Sequence, residues 1–303
     1  MKPLEGQVAV VAGATRGAGR GIACMLGAAG ATVYCTGRSS RSQPTARPVD
    51  AGDFTLAGRR ETIEETAEMV TAHGGVGIAR RVDYTDASQV QGLFAAVQAE
   101  QGRLEILVND VWGGDELSEW GKPFWELDLE KGLLMQQRAV HTHIVASHFA
   151  APLMVAAGRG LIVEITDGDT LAYRGNLFYD LAKVSAIRLA LAMAEELRVH
   201  GVAALALTPG FLRSEAMLEH FGVSEANWQE GAKIDPHFIA SETPFYVGRA
   251  VAALAADLNI LSKSGQAFSS WGLAVEYGFS DIDGRQPHWG NYFAEHVVEQ
   301  AAG

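Results

Sequence analysis

Residues 8–21 read VAVVAGATRGAGRG, an apolar β-branched run closed by a glycine and followed at once by two more glycines, at 17 and 19. A five-residue run of this kind fits a strand buried on both faces better than a half-exposed one. Behind it, Ile22, Leu26 and Ala29 recur at helical spacing, and Gly30 precedes a second apolar run, 32–36. The stretch is therefore a β-α-β unit. Its first turn places missing side chains where a pyrophosphate can approach backbone amides and the positive end of a helix. Gly13, Thr15, Arg16, Gly17, Ala18 and Gly19 are the candidate phosphate-binding residues.

The alternation continues outward. The spacing predicts helices over 62–72, 87–100, 127–156 and 179–200, with extended segments over 76–82, 104–108, 161–165 and 202–207; 248–256 and 266–269 close the pattern. Strands alternating with helices specify a Rossmann-type, doubly wound parallel α/β sheet, a three-layer α/β/α sandwich. The 303 residues are read as one domain with two insertions. Segment 39–60 is rich in Ser, Pro, Gly and Arg and reads as a surface loop. Segment 211–245 carries Phe221, Trp228, Phe238 and Phe245 among acidic residues and reads as a lid over a substrate.

Composition narrows the function classes. With 24 basic against 36 acidic residues, the net charge of -12 argues against a nucleic-acid or anionic-membrane partner. No run of about 18 apolar residues supports a membrane span, and the N-terminus lacks a charged-then-apolar signal. Two cysteines, Cys24 and Cys35, both in apolar stretches, point to reduced thiols and a cytoplasmic setting. His141, His143 and His148 lack the spacing and companions of a metal site, so no metal is expected.

Two further features carry chemistry. The second strand ends in Thr36-Gly37-Arg38 with no acid for ribose hydroxyls; Arg38, with Arg16, is expected to hold a 2′-phosphate, favouring NADP(H) over NAD(H). Tyr179-Asp180-Leu181-Ala182-Lys183 puts a phenol and an ammonium on one helix face. The ammonium is expected to pull the phenol pKa down toward neutrality and make it a general acid and base.

The Gly13/Gly17/Gly19 loop, the turn at Asn109, the Tyr179/Lys183 pair and the Pro209-Gly210 turn, in this order, resemble the short-chain dehydrogenase/reductase family over nearly the whole chain. The C-terminal stretch 258–285 looks most like a subgroup that includes a mammalian reductase of steroids and other carbonyls. The resemblance implies a homodimer or homotetramer that moves a hydride between a nicotinamide and a carbonyl or alcohol carbon of a small molecule.

It also implies roles. Tyr179 is the acid/base, and Lys183 holds the nicotinamide ribose. Counting back from the tyrosine places the hydroxyl that orients the substrate carbonyl at Thr166, which is preferred for its chemistry; counting from the strand gives Asp167. Asp83 matches the aspartate that meets the adenine amino group. Asn109 keeps the family turn, which is rebuilt around Trp112. Pro209, Leu212 and Ser214 contact the carboxamide, and Trp112, Asp167 and Phe211 face the substrate. Ala139 replaces the family's helix asparagine, leaving a proton relay to run differently, with His143 nearby. NADPH-dependent carbonyl reduction is the leading expectation. An NADP(H)-binding regulator of the same fold, without turnover, is the alternative.

Overall fold

Val8–Ala12 forms β1, and all five of its residues are buried, as a strand covered on both faces requires. In the computed structural model, which describes residues 2–43 and 60–298, each strand is followed by one or two helices. The elements are α1 Gly17–Ala28, β2 Thr32–Gly37, α2 Ile63–Ala72, β3 Val76–Arg81, α3 Ala87–Gln101, β4 Ile106–Asn109, α4 Leu129–Gln136, α5 Thr142–Ala157 and β5 Gly160–Ile165. After these come α6 Leu177–Leu197, β6 Val202–Thr208, α7 Glu215–His220, α8 Pro244–Ala256, β7 Ala267–Ser269, α9 Ser270–Tyr277 and α10 Trp289–Phe293.

The strands form one seven-stranded sheet in the order β3-β2-β1-β4-β5-β6-β7, and every pairing is parallel. The order reverses between β1 and β4, so the crevice above their carboxyl ends is where a doubly wound sheet binds ligands. One apolar layer joins α1, α2 and α8 to the sheet through Ile22, Leu26, Val70, Val247 and Val251. The opposite layer uses Phe94, Val97, Ala146, Ala150 and Met154.

Residues 129–157 are long and apolar enough, by length and composition alone, to cross a membrane. Here they are two helices, α4 and α5, joined by a wider turn at Gln137–His141, and the buried face of α5 lies on the sheet. Most of the predicted loop 39–60 lies outside the described residues. The predicted lid region is folded: Phe221, Trp228 and Phe238 make a small apolar cluster of their own, with Phe211 against it. Cys24 and Cys35 are buried free thiols, and burial pushes the Cys24 thiol up to about 12.

Helices α1 and α8 touch backbone to backbone. A Cβ on Gly21 would lie 2.0 Å from the Pro244 carbonyl oxygen, a contact that no rotamer change relieves. Alanine is the better helix former by about 1 kcal/mol, but overpacking costs about 1 to 3 kcal/mol, and an overlap this deep with backbone atoms belongs at the upper end, so the clash decides the sign. The Gly21→Ala protein is therefore expected to melt several degrees lower than the parent in a calorimetric scan; an equal or higher melting temperature would contradict this packing.

Candidate active site

A cavity of about 1030 Å³ opens at the carboxyl edge of the sheet, a size suited to a dinucleotide with a small molecule beside it. Its floor begins at Gly13, whose φ of +94° suits glycine alone and whose missing side chain lets the Asp110 carbonyl approach; a Cβ would sit 2.5 Å from that oxygen. Gly13, Thr15, Arg16, Gly17 and Ala18 line the cavity. Gly19 does not: it packs under the turn, where its amide meets the Asp110 carboxylate. At the N-terminus of α1 the Gly17 amide donates to Glu215 Oε2 at 2.8 Å. A carboxylate of the chain itself thus stands where an anion is favoured, and the loop fits a phosphate.

At the end of the cavity beside β2, Arg38 and Asp83 line the wall together with Arg138. Asp83 also accepts through Oδ1 from the Thr85 amide and hydroxyl. Arg16 lines the cavity too, with its guanidinium 3.7 Å from Glu61. Arg138, on the wide turn after α4, donates to the Gly113 carbonyl at 3.1 Å. Burial first, and then the nearby Arg38 charge, depress its pKa, so two guanidiniums share this end. Nothing in the sequence singled out Arg138, because that turn brings it over from a distant helix. The end of β2 carries no acid, and a Cβ at Gly37 would meet the Thr15 hydroxyl at 2.6 Å.

The reacting end is built on the first turn of α6. Asn176 caps this helix by accepting from the Tyr179 amide at 3.0 Å, which fixes the phenol over the cavity. Tyr179 donates its hydroxyl proton to Asp167 Oδ2 at 2.7 Å. The Trp112 and Trp120 rings pack edge-on against it, with centroids 5.3 and 5.2 Å away.

Lys183 lies on the same face of α6, but its Nζ sits over the Trp112 ring, 3.9 Å from the centroid. The expected pKa direction is therefore reversed: burial pushes the phenol up, and the charge and hydrogen bond of Asp167 push it further. Burial also lowers Lys183, against the pull of Asp167, Asp115 and Asp110. Buried Asp110 is itself pushed up to about 7 by desolvation, with Lys183 and the Gly19 amide opposing.

Thr166 and Asp167 exchange the places expected of them. The Thr166 residue borders the cavity but is only 3 % exposed. Its hydroxyl donates to the Lys183 carbonyl at 2.7 Å, so it ties β5 to α6. The strand-based count is the one that leads to the group beside the phenol, Asp167. Asn109 also lies off the cavity wall: it is wholly buried and donates to Ser147 at 3.0 Å and to Glu164 at 2.7 Å.

Glu164 in turn holds His143 Nδ1 at 2.6 Å, while Nε2 lies 3.0 Å from the Val111 carbonyl. Burial depresses the imidazole, but Glu164 outweighs it and the pKa is raised. Both ring nitrogens thus face oxygen acceptors, the Glu164 carboxylate and the Val111 carbonyl. Ala139, His143 and Lys183 do border one small cavity behind Trp112.

The remaining wall is the turn after β6. Pro209, Phe211, Leu212 and Ser214 line it, and the Ser214 hydroxyl caps α7 by accepting from the Met217 amide at 3.4 Å. Trp271, Trp289 and Phe293 from α9 and α10 complete the rim, and no motif in the sequence marks them. Arg213 underpins this side: it is 1 % exposed, with its guanidinium 4.1 Å from the Trp228 centroid and paired with Glu225 and Asp283. Among the described residues, no three His, Cys, Asp or Glu side chains gather as a metal site would require.

Comparison with known proteins gives a consistent picture. The profile of the short chain dehydrogenase family matches residues 45–221. The chain is 38% identical to dehydrogenase/reductase SDR family member 1 of Mus musculus over 288 residues, covering 93% of this chain and 85% of the relative. It is equally similar, at 38%, to the protein of that name in Homo sapiens. Among solved structures, a short chain dehydrogenase from Mycobacterium thermoresistibile superposes with a TM-score of 0.74 at 22% identity, over 95% of this chain and 92% of the other. A hydroxysteroid dehydrogenase from Escherichia coli gives 0.68 at 21% identity, over 88% and 96%. At such identity these two likenesses speak for the fold.

Proposed function

Since the chain belongs to the short-chain dehydrogenase/reductase family, which implies NAD(P) binding and oxidoreductase chemistry, we propose that it reduces a carbonyl compound to an alcohol with NADPH. The observation that carries this reading is the pairing of one cavity's two ends: guanidiniums of Arg38 and Arg138 at one, the Tyr179 hydroxyl at the other. A reduced nicotinamide supplies the hydride when bound. The loop at Gly13 and Gly17 would hold the phosphates, Arg38 with Arg138 would hold a 2′-phosphate, and Lys183 would reach the nicotinamide ribose.

Tyr179 gives its proton to the oxygen of the substrate as the carbonyl carbon is reduced. A phenol with a raised pKa stays protonated across the physiological range, which suits a donor in reduction. Trp112, Phe211 and Trp289 wall the substrate and exclude water around the forming charge. Thr166, by holding the Lys183 carbonyl, keeps the start of α6 in register with β5.

NADPH absorbance followed with a panel of ketones, aldehydes, quinones and steroids tests the reading. Substrate-dependent oxidation is the expected result. If fluorescence titration shows tight NADPH binding and no panel member is reduced, the chain is an NADP(H)-binding regulator instead.

A further inference from the structure

Asp167 is the anomaly of this site. A carboxylate whose Oδ2 lies 2.7 Å from the Tyr179 hydroxyl stands against any oxygen that receives the tyrosine proton. As a neutral ketone is reduced, negative charge grows on that oxygen beside the Asp167 charge, and this repulsion slows the reaction.

Neither nearby cation forms an ion pair with the Asp167 carboxylate, although the buried Lys183 charge is drawn toward it. Arg174 is held by the main-chain carbonyls of Asp167, Thr170 and Ala172 and by Asp180. Lys183 lies over the Trp112 ring. Among the described residues, the Asp167 carboxylate has no ion-pair partner, and it opens onto the cavity. The same cavity is rimmed by Tyr173, Phe211, Trp271, Trp289 and Phe293, rings whose faces attract cations.

We propose that the missing counter-charge is brought by the substrate: the enzyme selects amino ketones with a cationic nitrogen one methylene from the carbonyl carbon, which Asp167 binds while Tyr179 protonates the oxygen. The inference rests on the hydride-transfer reading above. In the step, the carbonyl carbon gains the hydride of a reduced nicotinamide, the C=O π pair moves to oxygen, and that oxygen takes the Tyr179 proton. The products are an amino alcohol and the oxidised nicotinamide, and solvent returns the proton to Tyr179. The cation stays beside Asp167 throughout, so the forming alkoxide meets a neutralised pair instead of a bare carboxylate.

Two ketones of nearly identical shape test this: phenacyltrimethylammonium, charged at every pH, and phenyl neopentyl ketone, its carbon isostere. With NADPH, the kcat/KM of the parent enzyme is expected to favour the cation by at least about 30-fold. Asp167→Ser and Asp167→Asn are expected to slow the cation and speed the neutral ketone, shrinking the ratio by at least about tenfold. Thermal melts and NADPH fluorescence titrations establish that both variants are folded and loaded.

A parent ratio near one, or a ratio unchanged in both variants, overturns the proposal while leaving carbonyl reduction in place. If the parent reduces neither ketone nor any carbonyl of the panel, the hydride-transfer reading falls and this inference falls with it.

Discussion

Tyr179→Phe is expected to lower kcat by at least about a thousandfold, within the range that a positioned proton donor contributes, while NADPH affinity stays within about twofold of the parent. The substitution removes one oxygen and leaves the ring between Trp112 and Trp120, so the helix start capped by Asn176 is retained. Single-turnover oxidation of bound NADPH isolates the chemical step from release. The parent profile has its own signature: because burial and Asp167 hold the phenol above its ordinary pKa, the reductive rate loses no proton donor as pH rises through neutrality. A Phe variant with parental single-turnover rates would remove Tyr179 from the mechanism.

The second large effect concerns the choice of cofactor. Arg38→Asp is expected to weaken NADPH about 100-fold, some 2 to 3 kcal/mol, while changing NADH by no more than about threefold. A guanidinium facing a phosphate is lost, and the new carboxylate repels that phosphate yet can accept from ribose hydroxyls. Arg138 remains, which limits the loss, and Arg38→Asp with Arg138→Ala is expected to weaken NADPH further. Fluorescence titration with each cofactor measures both constants; parallel losses would place the 2′-phosphate elsewhere.

The sequence carried the frame of this molecule because its buried parallel strands are short apolar runs and its turns are marked by glycine. Val8–Ala12 and the loop after it can be read in isolation, since both properties are local. The face shared by Tyr179 and Lys183 is equally local, a matter of helical spacing. What the phenol meets is not local. Asp167 lies 12 residues before it across a loop, and Lys183 turns to a tryptophan ring from another segment, so the direction of the pKa shift was hidden.

Asn109 shows the same limit. A polar residue ending a strand at the cofactor edge looks like a ligand until Glu164, 55 residues on, takes its amide into the core. Arg138, Trp289 and Phe293 reach the cavity from elements with no motif to announce them.

The contact between Glu215 and the Gly17 amide has an energetic consequence for how the cavity fills. Leu212 and Ser214, which the proposed reading sets against the nicotinamide, sit on the same short stretch as Glu215, whose carboxylate meets the Gly17 amide. A dinucleotide's phosphates compete with that carboxylate for one helix end. Part of their binding free energy would then be used to displace the start of α7, and by reciprocity whatever settles Leu212 and Ser214 against a nicotinamide would feed back on phosphate affinity. In the proposed binding mode the two halves of the cofactor are thermodynamically linked through the four residues 212–215, so a fragment such as a nucleoside diphosphate is expected to bind more weakly than its own contacts would predict.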